Sequence, residues 1–250
     1  MKKKILIIGE GNRDIFVYCT AKRLAPDLPI PVLNIVEQKE NPGMAKNVER
    51  NIKNIANICD IITNSDWESV TKTRYMHQGS NQAFFRVDAN DEIKRVDVKS
   101  IPLDYEIIAI SDYNKGFLTE EDIEYICDHH HNVIIDTKKT IGDWIKKAKI
   151  IKINDHEYER SKNFITKEIE ERMIRTRGDL GARFQGRDYP VEKVEVRDVT
   201  GAGDSFFAAF LIKFSETNNV DESIKYANAC ASRVVQHRGV SVIEEILPSV

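Results

Sequence analysis

The sequence is poor in the features that mark specialised chains. Its 250 residues hold only four cysteines and two tryptophans, with 12 glycines and seven prolines. Cys19, Cys59, Cys127 and Cys230 lie far apart and form no CxxC pair. That argues against a zinc site and for reduced, packed thiols in a cytoplasmic protein. No apolar run approaches the ~18–20 residues that span a bilayer, so no membrane partner is expected. Neither sign of charge dominates: 37 Lys+Arg face 40 Asp+Glu, for a formal net charge of −3. The basic excess of a nucleic-acid binder is missing, and no nucleic-acid partner is expected. There is no Gly/Ser linker, low-complexity tract or internal repeat. The opening, Met1-Lys-Lys-Lys-Ile-Leu-Ile-Ile-Gly9, has no small-residue cleavage site and reads as a first strand, not a signal peptide.

What is present is alternation of strands and helices. Short Ile- and Val-rich runs recur at Ile5–Ile8, Ile107–Ile110, Val133–Ile135, Ile150–Ile153 and Met173–Ile174. Each is too short for a helix and too uniformly apolar for a half-exposed strand, as strands buried on both faces are. Between them Val48, Ile52 and Ile55 mark one helix. Thr119 followed by Glu120, Glu121 and Asp122 reads as a capped start of another. Phe206, Phe207, Phe210, Leu211 and Phe214 give a broad apolar helix face, and Ile224 to Val235 give one more, entered through Asp221. This rhythm predicts an α/β fold with a mainly parallel sheet. The segments Ile15–Tyr18, Pro31–Val36, Thr73–His77 and Ala83–Val87 break it, and predict a small accessory sheet of separate chain pieces. One domain with a β appendage is expected over 1–250.

The strongest chemical signal is Asp198-Val-Thr-Gly-Ala-Gly-Asp-Ser205, directly before the Phe-rich helix. Two glycines let backbone N–H groups approach an anion closely, and the helix N-terminus adds positive charge there. A phosphate suits such a turn. Asp204 would repel it, and so needs a reason to be there: as a general base it could take a proton from a hydroxyl attacking that phosphate. Gly9-Glu-Gly11 is half of a dinucleotide fingerprint, but Asp14 stands where its third glycine belongs, so NAD is not expected. His129, His130 and His131 lack ligand geometry and are expected to be exposed.

The octapeptide resembles the C-terminal signature of the ribokinase/PfkB sugar kinases. Asn154-Asp-His-Glu157 is similar to that family's NxxE, and Thr176-Arg-Gly-Asp-Leu-Gly181 to its TxGxxG. Pro42-Gly-Met-Ala-Lys-Asn47 is similar to its N-terminal glycine motif, and Gly9 and Asp14 to its strand-one residues. Within the family, Arg23–Val32, Asn81-Gln-Ala-Phe-Phe-Arg-Val-Asp88, Ser111-Asp-Tyr-Asn-Lys-Gly116 and Ile135-Asp-Thr-Lys138 resemble segments of the heptose-7-phosphate kinases. Ala227-Asn-Ala229 and Gly239-Val-Ser241 resemble their late nucleotide-side segments.

The resemblance implies a ribokinase-like three-layer α/β sandwich, with a mainly parallel central sheet and a discontinuous β lid from about 13–38 and 72–88. It implies transfer of the γ-phosphoryl group of ATP to O1 of D-glycero-β-D-manno-heptose 7-phosphate. Asp204 would be the base, and Gly201, Ala202 and Gly203 would hold the transferring phosphate. Asp14, Gly43, Asn47, Asn81, Gln82, Arg86, Asp112 and Lys115 would bind the sugar phosphate, with Arg23 and Arg74 as further candidates. Lys138, Asn154, Glu157, Thr176, Gly178, Asn228, Gly239 and Ser241 would bind the nucleotide, and Glu157 would reach Mg²⁺ through water. A monovalent cation such as K⁺ and a homodimer through the lid are further implications.

Five departures qualify the resemblance. Glu10 stands where these kinases carry Asp, Met44 replaces the second glycine of the PGG turn, and Lys46 replaces a small residue. Met44 and Lys46 would stand beside the sugar pocket, with Lys46 an added phosphate ligand or the mark of a different sugar. The stretch Ala56–Lys72 is expected to hold only a compressed connection, where relatives carry a further strand and helix. The segment after Glu157 is also short, and no nucleotidyltransferase module is expected after Val250. A kinase for another sugar, and a reduced sugar-phosphate-binding protein without catalysis, remain alternatives.

Overall fold

A computed structural model describes residues 4–80, 82–237 and 239–243. The first strand, β1 (Ile5–Gly9), leads at once into β2 (Gly11–Leu24) and β3 (Pro31–Met44), and β3 runs straight into α1 (Ala45–Ile55). Then come β4 (Cys59–Ile62), β5 (Thr71–His77), β6 (Ala83–Ala89), β7 (Ile107–Asp112), α2 (Glu120–His129), β8 (Val133–Thr137) and β9 (Ile150–Asn154). The rest is α3 (Asp155–Ser161), α4 (Lys167–Glu170), β10 (Met173–Thr176), β11 (Ala182–Phe184), β12 (Arg187–Tyr189), α5 (Ala202–Thr217) and α6 (Val220–Val234).

The Ile-rich runs form one eight-stranded sheet, ordered β12-β11-β10-β9-β8-β7-β1-β4. From β4 to β10 neighbours pair in parallel, and β11 and β12 add an antiparallel edge. Strand periodicity divides the core. Ile5, Ile7, Ala109, Ile134 and Ile150 turn to the face covered by α1, α5 and α6. Leu6, Ile8, Ile108, Ile110, Ile135 and Ile151 turn to the other face, against Ile123 and Ile126 of α2 and Ile169 of α4. Both faces are buried, which is why these strands read as unbroken apolar runs.

Caps set the helix starts. Thr119 and Asp122 form a reciprocal capping box on α2. Asn219, not Asp221, caps α6, because its side chain accepts from the Glu222 amide at 3.2 Å. The histidine run is not uniformly exposed. His130 is buried, with its ring nitrogens against the Tyr105 carbonyl and the Asn132 amide.

A second sheet, ordered β3-β2-β5-β6, stands off the first. Its strands outrun the predicted pieces, because β2 and β3 form one hairpin of two 14-residue strands. One face carries Phe16, Tyr18 and Met76 with Val240, and the other Ile15, Val17 and Cys19. Ile35, Phe85 and Val87 are left 66%, 47% and 48% exposed. The 56–72 stretch is not a bare connection: it contains β4, followed by a turn that packs back on the start of β2. Asn64 accepts from the Gly11 amide at 2.8 Å, and the Trp67 ring lies under the Lys46 ammonium at 5.1 Å.

Candidate active site

Strand order reverses between β1 and β7, so the crevice at their C-terminal ends is where an open α/β sheet places its ligands. The second sheet and the start of α5 both border this crevice. Gly201 precedes α5 at φ 79°, a left-handed conformation that suits glycine, and no side chain caps the helix. Asp198 ties the turn down by accepting from the amides of Thr200 at 2.9 Å and Gly239 at 3.1 Å. A Cβ on Gly203 would meet the Lys152 ammonium at 3.3 Å. The Ala202 amide is used by the Val199 carbonyl at 3.2 Å, but the glycine amides on either side, a helix N-terminus and an ammonium converge, and they fit an anionic phosphate.

Asp204 sits buried in the first turn of α5. Its Oδ1 accepts from the Tyr113 hydroxyl at 2.5 Å and its Oδ2 from Nδ2 of Asn47 at 2.9 Å. Burial pushes the carboxyl up, the Asn47 and Tyr113 hydrogen bonds pull it down, Asp136 adds to the rise and Lys152 opposes it. The net shift is upward. A buried carboxylate beside an anion cradle, held but with lone pairs to spare, can accept a proton from a bound hydroxyl.

Beneath the turn lies a buried ion pair. Lys152 of β9 donates to Asp136 of β8 at 2.7 Å, and the second Asp136 oxygen is buried without a partner. Lys138 pairs with Glu157 at 2.5 Å. Burial lowers the Lys138 pKa, but the carboxylates of Asp136 and Glu157 outweigh it and raise the ammonium above its ordinary value.

Asn154 and Glu157 form a capping box on α3. Glu157 accepts from the Asn154 amide at 2.8 Å and from its Nδ2 at 2.9 Å, while Asn154 accepts from the Glu157 amide at 2.9 Å. Among the described residues no three His, Cys, Asp or Glu side chains cluster to hold a metal directly. A divalent cation here would have to keep its waters, because Asn154 and Lys138 already engage both Glu157 oxygens. Thr176 ends β10, with its hydroxyl donating to the Ile153 carbonyl at 3.3 Å, and Gly178 follows at φ 58°.

Across the crevice, Asp14 of β2 accepts from Arg74 at 2.8 Å. Gly43 pairs with Asn12 on the neighbouring strand, and a Cβ there would lie 2.5 Å from Oδ2 of Asp14. Lys115 pairs with Asp91, and its amide donates to Glu10 at 2.9 Å. The cleft beside Asn114 and Lys115, about 990 Å³, is lined by Asp66, Asp91 and Glu92, a poor setting for a phosphate. Asp112 is fully enclosed, accepting from Thr137 at 2.5 Å and Lys139 at 2.8 Å, so it braces β7 and does not face a ligand.

Gln82 and Arg86 are not brought to this cluster. Gln82 is exposed in the β5–β6 turn, and Arg86, with 53% of its side chain exposed, pairs with Asp88. Arg23 is exposed near the end of β2, and Asn81 lies outside the described residues. Asn228 is buried and donates to the Tyr189 carbonyl at 2.8 Å, strapping α6 to β12. Ser241 is partly buried two residues after Gly239.

The departures have local causes. Met44 adopts φ 55° and is buried, at a backbone position better suited to glycine. Lys46 is taken up by Glu49 at 2.5 Å and by the Trp67 ring, not by the sugar pocket. Glu10 is buried and reaches the amides of Tyr113 and Lys115.

Four residues were missed by sequence reasoning. Tyr113 was one letter in a motif. Lys72 of β5 stands 5.4 Å from the Tyr113 ring centroid, and burial lowers its pKa. A lysine on an otherwise half-apolar strand is ordinary, so no local signal marks it. Lys152 and Asp136 had a signal: each is a charge inside a strand buried on both faces.

The pfkB family of carbohydrate kinases matches over residues 119–246, more than half of the chain. The chain belongs to the pfkB family. Membership makes it an ATP-dependent sugar kinase. Among curated proteins, the bifunctional protein HldE of Hydrogenovibrio crunogenus is 26% identical over 98% of this chain. That of Helicobacter pylori is 28% identical, also over 98%. The chain spans 62% of the first relative's length and 65% of the second's. Solved pfkB-type folds superpose well. A ribokinase from Thermotoga maritima gives a TM-score of 0.74 at 19% identity, covering 95% of this chain and 94% of its own. Escherichia coli phosphofructokinase-2, in complex with potassium, gives 0.71 at 14% identity, covering 97% and 96%. These likenesses bear out the ribokinase-like fold. No helix among the described residues is long and apolar enough to cross a membrane.

Proposed function

We propose that the chain phosphorylates O1 of D-glycero-β-D-manno-heptose 7-phosphate with ATP, giving the 1,7-bisphosphate. The observation that carries this reading is the buried Asp204 carboxylate at the uncapped start of α5, flanked by Gly201–Gly203, with the second sheet across the crevice. The heptose-kinase segments and the likeness to HldE proteins support the choice of sugar.

Asp204 accepts the O1 proton as O1 attacks the γ-phosphorus. The amides around Gly201, Ala202 and Gly203, with Lys152 behind them, hold the charge that develops on the phosphoryl oxygens. Lys138, Thr176 and Gly178 bind the nucleotide phosphates. Mg²⁺, when bound, neutralises those phosphates, and Asn154 and Glu157 hold its waters. Asp14 and Asn47 bind sugar hydroxyls, and the second sheet acts as a lid that excludes water. We assign the reaction to the cytoplasm, and free thiols at all four cysteines suit a reducing compartment. The intact Asp204, Asn154 and Glu157 set disfavours a non-catalytic role, and the engagement of Lys46 by Glu49 removes one argument for a different sugar.

ADP release measured across a panel of sugar phosphates tests the reading. Turnover on heptose 7-phosphate is expected, and turnover confined to another sugar would overturn the choice of acceptor.

The remote phosphate falls to Lys72. Arg74 is engaged by Asp14 and Lys115 by Asp91, whereas Lys72 faces the Tyr113 ring beside the crevice. A charge-assisted hydrogen bond is worth about 1.5–3 kcal/mol. Lys72→Met is therefore expected to raise KM for the sugar phosphate roughly 10–100-fold with little change in KM for ATP. Equal KM for the phosphorylated sugar in the two proteins would remove Lys72 from the site.

The exposed Ile35, Phe85 and Val87 of the second sheet support a homodimer through the lid. Sedimentation equilibrium is expected to give a dimer that Phe85→Lys weakens. A monomer at every concentration rejects it.

A further inference from the structure

The loop after β7 carries an arrangement that the phosphoryl-transfer reading does not use. Glu10 replaces the shorter Asp expected after β1, and its extra methylene lets one carboxylate span two amides. Oε2 accepts from Tyr113 at 2.7 Å and Oε1 from Lys115 at 2.9 Å. Asn114 between them takes φ 56°, so the loop is pinned on both sides of a left-handed residue. The Tyr113 ring is held between two cations from different layers: Lys72 of β5 at 5.4 Å and Lys138 after β8 at 5.5 Å. Its hydroxyl ends on Oδ1 of Asp204.

We propose that Tyr113 is a positioning residue for Asp204, and that buried Glu10 is the peg that sets it. With Asn47 on Oδ2 and Tyr113 on Oδ1, both carboxylate oxygens are held and rotation is opposed. The inference rests on the reading of Asp204 as the base.

The charged and titratable groups around Asp204 decide the sign of the effect. Asp136 of β8 disfavours the ionised form, and Lys152 of β9 favours it. Lys138 stands after β8, and the second sheet contributes Lys72 and Asp14 around the Tyr113 ring. The Tyr113 phenol lies well above its ordinary pKa, through burial and then the Asp204 charge, so it stays a donor across the working range. Deleting the hydroxyl removes a bond that favours the carboxylate and leaves burial and Asp136 acting. Asp204 then holds its proton to higher pH.

The test is a ¹³C-carboxyl titration of Asp204 in the full chain, assigned with Asp204→Asn, for wild type and Tyr113→Phe. It is paired with pH profiles of kcat on whichever acceptor the wild type turns over. Asp204 is expected to titrate about one pH unit higher in Tyr113→Phe, a roughly tenfold change in its protonation equilibrium. The acid limb of kcat is expected to move by the same amount, with KM for ATP unchanged. Glu10→Asp, which shortens the peg, should move both in the same direction. An Asp204 titration unchanged in Tyr113→Phe overturns the proposal. So does a rise in kcat without a shift, which would make the hydroxyl a plug in the acceptor's place. A wild type with no turnover on any sugar phosphate would instead refute the base assignment, and the carboxyl titration would still report on Tyr113.

Discussion

Asp204→Asn is expected to lower kcat on the accepted sugar by roughly 10²–10⁴-fold, the range that a positioned general base contributes. The substitution keeps the volume of the side chain. Its carbonyl oxygen can still accept from Asn47 while its amide donates to the Tyr113 hydroxyl oxygen, so the loss should fall on kcat and little on KM for ATP. Stability should not follow activity. The folded carboxyl titrates above its ordinary value, so its favourable contribution to folding is present below the unfolded pKa of about 3.9 and is lost as pH rises through the folded value. Above that folded value the wild type carries a buried, ionised carboxylate that Asn does not. The variant should therefore melt at the same temperature or higher while turning over far less. Wild-type turnover in the variant would remove Asp204 from the chemistry. A large drop in Tm would mean that the carboxylate holds the fold together.

Lys152→Met is expected to give the largest loss of stability, about 3–5 kcal/mol, because it strands Asp136 as an uncompensated buried charge. Both side chains are almost wholly enclosed, and Asp136 already has one oxygen without a partner. Lys138 also feels the Asp136 charge, but its ammonium is paired with Glu157. Replacing both partners, as Asp136→Leu with Lys152→Met, should recover most of that loss, since the desolvation cost of both charges disappears. It should not recover turnover, because the ammonium beside Gly203 goes with the pair. Urea unfolding of the three proteins measures the first effect, and ADP release the second. A single variant within about 1 kcal/mol of wild type would show that water or another cation compensates Asp136.

The fold was largely legible in the sequence because it rests on local pattern. Ile5–Ile8 and Ile150–Ile153 are short and apolar on both faces, which only a covered parallel sheet accommodates. Thr119 and Asp122 carry their own capping box. The candidate site was legible where its residues sit in one continuous segment. Gly201, Gly203 and Asp204 belong to one turn and one helix start, and Asn154 and Glu157 to one capping box. Legibility failed where motif letters hid structural duties. Asp112 and Asn228 are polar residues of family-like segments, yet one braces β7 and the other straps α6 to a neighbouring carbonyl. Gln82 and Arg86 match motif letters but lie on the exposed end of a sheet whose buried end borders the crevice. His130 looked like its neighbours and is buried, because the chain turns inward at one residue of the three.

The sequence by itself determined the sheet, the anion-binding turn and the carboxylate beside it, since each depends on neighbours within a few positions. The tertiary structure alone decided which charges are free and which are spent. Asn47 meets Asp204 across 157 residues and Tyr113 meets it across 91. Lys115 and Arg74 lose their apparent freedom to Asp91 and Asp14, while Lys72 lies over the Tyr113 ring. A hydrogen bond or ion pair needs its partner within about 3 Å, and no local pattern records which distant segment the sheet brings there.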